Sequence, residues 1–251
     1  MDFKFLVGLL ILCLPHELWS QKPAFISVQN ESIPYRILSP PQIETAKKYP
    51  LVLFFHGAGE RGRENLYSTQ HIEPLFLQDS NQFKFPCFVI APQCDTGHRW
   101  VETDWTLEDH IMPEKISVFG HKTMQLLEEI KAKYPIDSTK IYLMGLSMGG
   151  FACWDFLSRF PNYFAAAVPI CGGADLKQIY KIKRPAIWIF HGAKDKLVSV
   201  IRSRKAFETI QKVNAKVKYT EYPELGHGSW IPALKEKTLL PWLFSQQLLP
   251  E

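Results

Sequence analysis

The chain predicts an α/β fold, a mostly parallel central sheet with helices on both faces, preceded by an antiparallel hairpin. Three observations carry that prediction. From Leu51 onward, short strand-like runs alternate with segments of helical length, the order that builds a parallel sheet through crossover helices. Most of these runs are apolar throughout, as strands buried on both faces are. Before Leu51, two short runs flank the polar turn Asn30-Glu31-Ser32, which reads as a hairpin.

Taken in order, AFISVQ and IPYRILSP form that hairpin, closed by Pro40-Pro41; its turn is also an N-glycosylation sequon. PLVLFFHG is a buried strand, AGERGREN a polar loop, and a helix is expected around His71 to Leu77. CFVIAP is the next strand. The stretch from Gln93 to Met112 is irregular and rich in Trp, Asp and His, a length that loops of compact domains reserve for function. Ile116, Phe119, Thr123, Leu127 and Ile130 share a helical face, with Pro113 suited to the helix start. KIYLMG is a strand, GFACWDFLSRFP a helix stopped by Pro161, FAAAVPIC and AIWIFHG strands. A helix from about Val200 to Lys212, the strand KVKYTEY and a last helix in LPWLFSQQLL complete the chain.

The N-terminus differs in kind. Lys4, the apolar stretch Phe5 to Leu14 and the small residue Ser20 before Gln21 read as a signal peptide over 1–20. The run is too short for a permanent membrane anchor, so a secreted or periplasmic protein with one domain over 21–251 is expected. Cys13 lacks the small residues that precede a lipidated cysteine. A net charge of +4 without any block of like charges gives no footprint for nucleic acid. Four cysteines follow the leader. Cys87 and Cys94 flank one strand, too far apart to bond, whereas Cys153 and Cys171 could meet or remain free thiols. No Cys/His cluster has zinc-ligand spacing, and no motif fixes an oligomeric state.

The chemistry centres on MGLSMGG. In Gly-x-Ser-x-Gly after a strand and before a helix, the serine sits on a sharp turn, and Gly145 and Gly149 leave room for the close approach. Ser147 is therefore the candidate nucleophile. A serine hydroxyl needs a base, and the base needs an acid to orient it, in the chain order Ser, acid, His on this architecture. Asp195 follows the strand AIWIFHG, and His227 lies between the last strand and the last helix. Asp155, in the helix after the serine, and Asp175 read as surface or capping carboxylates. His56 and His191 end strands and read as structural, while His98, His110 and His121 precede the serine. The oxyanion needs two donors, worth roughly 3 kcal/mol each: the backbone N–H of Met148, and that of Ala58 with Gly59 as its rival, in HGAGERG.

Together, PLVLFFHGAGERG, IYLMGLSMGGFACWDFLSRFPNYFAAAVPICGG, PAIWIFHGAKDKLVSV and KYTEYPELGHGSW resemble the α/β-hydrolase superfamily. More closely they resemble its secreted carboxylesterase/phospholipase-like group, labelled predicted peptidases and related to polyhydroxybutyrate depolymerase-like and feruloyl esterases. The resemblance implies an α/β-hydrolase fold, the triad Ser147, Asp195 and His227, and carboxylic ester hydrolysis with no metal or organic cofactor. The substrate it suggests is a small-molecule or polysaccharide ester, with acetyl or feruloyl groups of plant polysaccharides first. A serine peptidase related to prolyl oligopeptidase and a non-catalytic binding member stand as alternatives; the chain has no room for the propeller of the former. Trp100, Trp105 and Trp230 are candidate walls of the substrate site, Trp154 reads as core, and Glu60, Arg61 and Arg63 could hold polar substrate groups.

Overall fold

A computed structural model describes residues 24–248; the signal-peptide expectation over 1–20 lies outside the described residues. Eight strands form one sheet in the order β1-β2-β4-β3-β5-β6-β7-β8. β1 (Ile26–Val28) and β2 (Tyr35–Leu38) are the expected hairpin, and β2 runs antiparallel to β4 (Phe88–Pro92). The rest pair in parallel: β3 (Tyr49–Phe55), β5 (Ile136–Leu146), β6 (Ala166–Ile170), β7 (Ala186–Gly192) and β8 (Val217–Tyr222).

The uniformly apolar strands have a direct cause. Along β3, Leu51, Leu53 and Phe55 enter one core while Val52 and Phe54 enter the other. The first core packs beneath α3 (Val118–Lys133), α4 (Met148–Arg159) and α5 (Ile201–Ile210). The second packs against α1 (Glu73–Phe76), α6 (Trp230–Ala233) and α7 (Leu239–Phe244). Burial of both faces at about 25 cal/mol per Å² removes the polar half of the usual alternation.

Phe55 of β3 lies level with Gly145 of β5, Leu146 with Ile170 of β6, and Ile170 with Phe190 of β7. Their C-terminal ends therefore open on one edge of the sheet, beside the point where the order turns back from β4 to β5. Open α/β sheets place their ligands at that crevice.

Several boundaries differ from the sequence reading. The helix expected from Pro113 begins at Val118, because the Ser117 hydroxyl accepts from the Gly120 N–H (2.9 Å) and caps it there. The helix expected over His71 to Leu77 shortens to α1, and α2 (Asp79–Lys84) follows it unforeseen. Asp155 is a buried carboxylate paired with Arg159 at 2.7 Å, and Arg159 also donates to the carbonyls of Pro113 and Glu114. Asp175 accepts the N–H groups of Met112 and Lys177 at 2.9 Å. Cys87, Cys94, Cys153 and Cys171 are all free and buried. Among the described residues no helix is long and apolar enough to cross a membrane.

Candidate active site

Ser147 occupies the turn between β5 and α4 with φ 53° and ψ −118°, a region that costs a non-glycine residue roughly 1–3 kcal/mol. The surroundings impose it. A Cβ on Gly145 would stand 2.3 Å from the Gly149 carbonyl oxygen, and one on Gly149 would stand 2.0 Å from that of Phe55. The Ser147 N–H donates to the Ile170 carbonyl at 2.9 Å, which ties the turn to β6.

This turn lifts the serine to a histidine supplied by the segment after β8. The Ser147 Oγ lies 2.8 Å from His227 Nε2, and His227 Nδ1 lies 2.7 Å from Asp195 Oδ2. A carboxylate can only accept, so Nδ1 carries the proton and Nε2 is left to accept from the serine hydroxyl. The Asp195 side chain is sealed from solvent. Its Oδ1 accepts the N–H groups of Leu197 (2.9 Å) and Val198 (3.0 Å), and its Oδ2 also lies 3.2 Å from His191 Nε2. Burial alone would raise this carboxyl, but the bonds from His191, His227 and Val198 outweigh it and hold it below the ordinary carboxylate range. Asp195 is thus an anion whose orientation is fixed by four donors.

His191 is a site residue that the sequence reading placed apart. Its Nε2 faces both the Val198 carbonyl (3.0 Å) and Asp195, so that nitrogen bears the proton and Nδ1 accepts from the Ser203 hydroxyl at 2.7 Å. The available signal was its spacing: four residues before Asp195 across one turn.

Met148 opens α4, where its N–H has no acceptor within the helix. It faces the positive end of a twelve-residue helix. Ala58 and Gly59 lie in the 3-10 turn Ala58–Glu60 that follows β3, and they line one cavity together with Ser147. His56 steadies that turn: its Nδ1 donates to the Gly57 carbonyl at 2.7 Å, and its Nε2 accepts the Cys94 N–H at 3.0 Å. Burial chiefly lowers its pKa to about 4, so the ring stays neutral.

The mouth of the site is a cavity of about 500 Å³ lined by residues 57–60, Trp105, Thr106, Leu146, Ser147, residues 196–198, His227 and Trp230. Trp105, Trp230 and Glu60 line it. Trp100 does not. It is fully buried, and its indole N–H donates to the His56 carbonyl at 3.0 Å, so it buttresses the turn from behind instead of walling the cavity. Arg61 is likewise occupied, donating to the carbonyls of Ala58 (2.9 Å) and His98 (3.2 Å), and Arg63 pairs with Asp95 at 2.8 Å. Trp154 is core.

Two further features were not foreseen. Thr106 and Lys196 to Val198 line the cavity, the latter because the chain must run past Ser147 to deliver the two N–H groups to Asp195. Arg202 is buried and donates to the carbonyls of Leu107, Asp104 and Asp109, holding the segment that carries Trp105 and Thr106. Among the described residues, Cys171, Asp195 and His227 bring their donor atoms within 4.8 Å of one another, but a metal there would compete with the proton on His227.

Residues 42–236 match the phospholipase/carboxylesterase family. A bifunctional acetylxylan esterase/xylanase of Neocallimastix patriciarum is 29% identical over 61% of this chain and 20% of its own length. A poly(3-hydroxyalkanoate) depolymerase of Paucimonas lemoignei is 39% identical over 49% of this chain and 28% of its own. The chain thus spans about a quarter of the curated relatives that it matches. The crystal structure of a thermostable esterase is 35% identical, covers 90% of this chain and 63% of the other, and superposes with a TM-score of 0.81. The fold is that of the α/β-hydrolases, and the chain belongs to their phospholipase/carboxylesterase family.

Proposed function

We propose that the protein is a serine esterase that cleaves carboxylic esters through an acyl-enzyme. The observation that carries this reading is the unbroken line from Asp195 through His227 to Ser147, with bonds of 2.7 and 2.8 Å, at the floor of an open cavity. Neutral His227 takes the serine proton as the Oγ attacks the ester carbonyl, and Asp195 stabilises the imidazolium that forms. The N–H groups of Met148 and of Ala58, with Gly59 as its rival, receive the oxyanion. His227 then gives its proton to the leaving alcohol, and water repeats the sequence on the acyl-serine. All of this is done by side chains and backbone of the one chain, with no call on a metal or an organic cofactor.

The finer reading is an exported esterase of acetyl or feruloyl groups on plant polysaccharides. The acetylxylan esterase similarity supports the acetyl group, the aromatic walls Trp105 and Trp230 suit a sugar or a phenolic acyl group, and the apolar leader supports export. One domain over 21–251 would carry the whole reaction.

The test is one panel run with the mature protein and with Ser147→Ala: p-nitrophenyl acetate and butyrate, methyl ferulate, acetylated xylan and a proline-containing peptide amide. Ester turnover should fall by about four orders of magnitude or more in Ser147→Ala, with no amide cleavage by either protein. Ester turnover that survives the substitution would overturn the nucleophile, and amide cleavage would move the protein to the peptidases.

A further inference from the structure

Beside the catalytic cavity lies a second cleft, of about 540 Å³, between α1 and α2 on one side and α6 and α7 on the other. The two share a wall. Trp230 lines both, and its ring sits between those of His227 (centroids 5.5 Å apart) and His71 (5.4 Å). His71 lines the cleft and bonds through Nε2 to the Glu60 carboxylate at 3.1 Å, and Glu60 lines the cavity. A molecule lying in the cleft can therefore run over Trp230 to Ser147.

The cleft has a distinct chemistry. Its floor is apolar, formed by Leu75, Leu234 and Leu240. Its rim carries Lys84, Lys235 and Lys237, all exposed, and among the described residues none of the three has a carboxylate partner. The one carboxylate on the rim, Glu236, is engaged by the N–H and hydroxyl of Thr238. Three unpaired ammonium groups around a concave apolar floor, next to Trp230, suit a ligand with C–H faces to pack and negative charge along its edge.

We propose that this cleft is a remote binding site for a carboxylate-bearing oligosaccharide, the part of an acylated acidic polysaccharide that extends away from the ester being cleaved. The inference rests on the esterase reading for the cavity and adds the charge class of the substrate chain. Sugar rings pack on Trp230 and the leucine floor, and uronate carboxylates meet the lysines. Because these contacts lie far from the reacting carbonyl, they are made equally in ground and transition states, and their loss raises KM while kcat holds.

The experiment compares the wild type with Lys84→Gln/Lys235→Gln/Lys237→Gln. The probes are acetylated oligogalacturonate, acetylated xylo-oligosaccharide of equal length and p-nitrophenyl acetate. The triple variant should raise KM for the acidic oligosaccharide about ten-fold, the sum of three exposed ion pairs. The neutral oligosaccharide and p-nitrophenyl acetate should change by less than about two-fold, and salt at about 0.5 M should erase the wild type's preference. An equal loss on acidic and neutral chains, or no loss on either, overturns the proposal. So does a variant that loses binding to phosphatidylserine vesicles while both saccharides are cleaved as before, which would make the patch a lipid-facing surface. Calorimetric titration of unacetylated oligogalacturonate into Ser147→Ala needs no turnover, so a failed cleft and a failed esterase reading give different results.

Discussion

The serine turn and the long loop over 93–117 are two irregular parts of the molecule that meet at one cavity, and they are held in opposite ways. The turn is fixed by backbone contacts among neighbours: Gly145 against Gly149, Gly149 against the end of β3, Ser147 N–H on β6. The loop contains no helix or strand and is fixed by side chains that arrive from far away. Arg202, 95 residues beyond Leu107, gathers its carbonyls, Arg159 holds Pro113 and Glu114, and Trp100 plugs it into the core. Rigidity of the first kind leaves a local motif in the sequence. Rigidity of the second kind leaves only a long polar stretch and scattered arginines.

The sharpest way to break the turn is Gly149→Ala. Its Cβ would need to occupy space 2.0 Å from the Phe55 carbonyl oxygen, and only backbone movement in β3 or α4 can relieve that. A loss of more than about 4 kcal/mol is expected, seen as unfolding in a denaturant titration followed by circular dichroism. Gly59→Ala is the matched control, with nothing within 4 Å of its added Cβ, and its midpoint should not move. Equal midpoints for the two variants would mean that the turn is soft.

The loop should yield next, to Arg202→Met. The substitution puts an apolar thioether where the guanidinium lies over Phe151 and strips the carbonyls of Asp104, Leu107 and Asp109 of their donor. These bonds are part-buried, so each carbonyl left unpaired costs the low end of about 1–3 kcal/mol, and a loss of about 3 kcal/mol is expected. Amide exchange should rise at residues 104–112 and stay unchanged at the serine turn. Uniform acceleration across the sheet would show that the loop is no separate unit.

The same contrast explains what could be read in advance. Parallel strands, the hairpin and the order Ser147, Asp195, His227 were legible because each is written in a run or a motif of a few residues. The connection ends meet at one edge for topological reasons, so the relay could be assembled on paper. Trp100 misled because a tryptophan in a polar loop looks exposed, while its burial depends on Phe55, His56 and Phe119. Arg61 misled because its acceptors are carbonyls, which every residue has. His191 was hidden by its position at a strand end, where a structural bond and a bond to Asp195 have the same sequence signature.

Acid should separate the two regions more gently. Burial lowers His56 behind the turn to about 4, and burial together with the Arg202 charge does the same for His110 in the loop. The unfolded chain binds these protons from about pH 6.5 downward and the folded chain only near 4, so stability falls as pH falls through that window. The loss by pH 5 is about 2 kcal/mol per histidine. In His110→Gln the fall in stability between pH 7 and pH 5 should shrink by that amount. An unchanged slope would mean that the loop lets the imidazolium reach water.

The smallest effect expected is also the one that measures what the serine turn stores. Ser147 holds φ 53° because Gly145 and Gly149 leave the chain no other path. Ser147→Ala keeps the Cβ and therefore the strain, and loses only the hydroxyl bond to His227. Ser147→Gly removes the Cβ, so the turn relaxes in place. The glycine variant should be more stable than the alanine variant by about 1 kcal/mol, the strain relieved less the extra freedom that glycine gives the unfolded chain. Calorimetry of the two variants, run without substrate, reads the difference directly. Equal midpoints would place the strain in the flanking glycine contacts and leave the serine conformation free of cost.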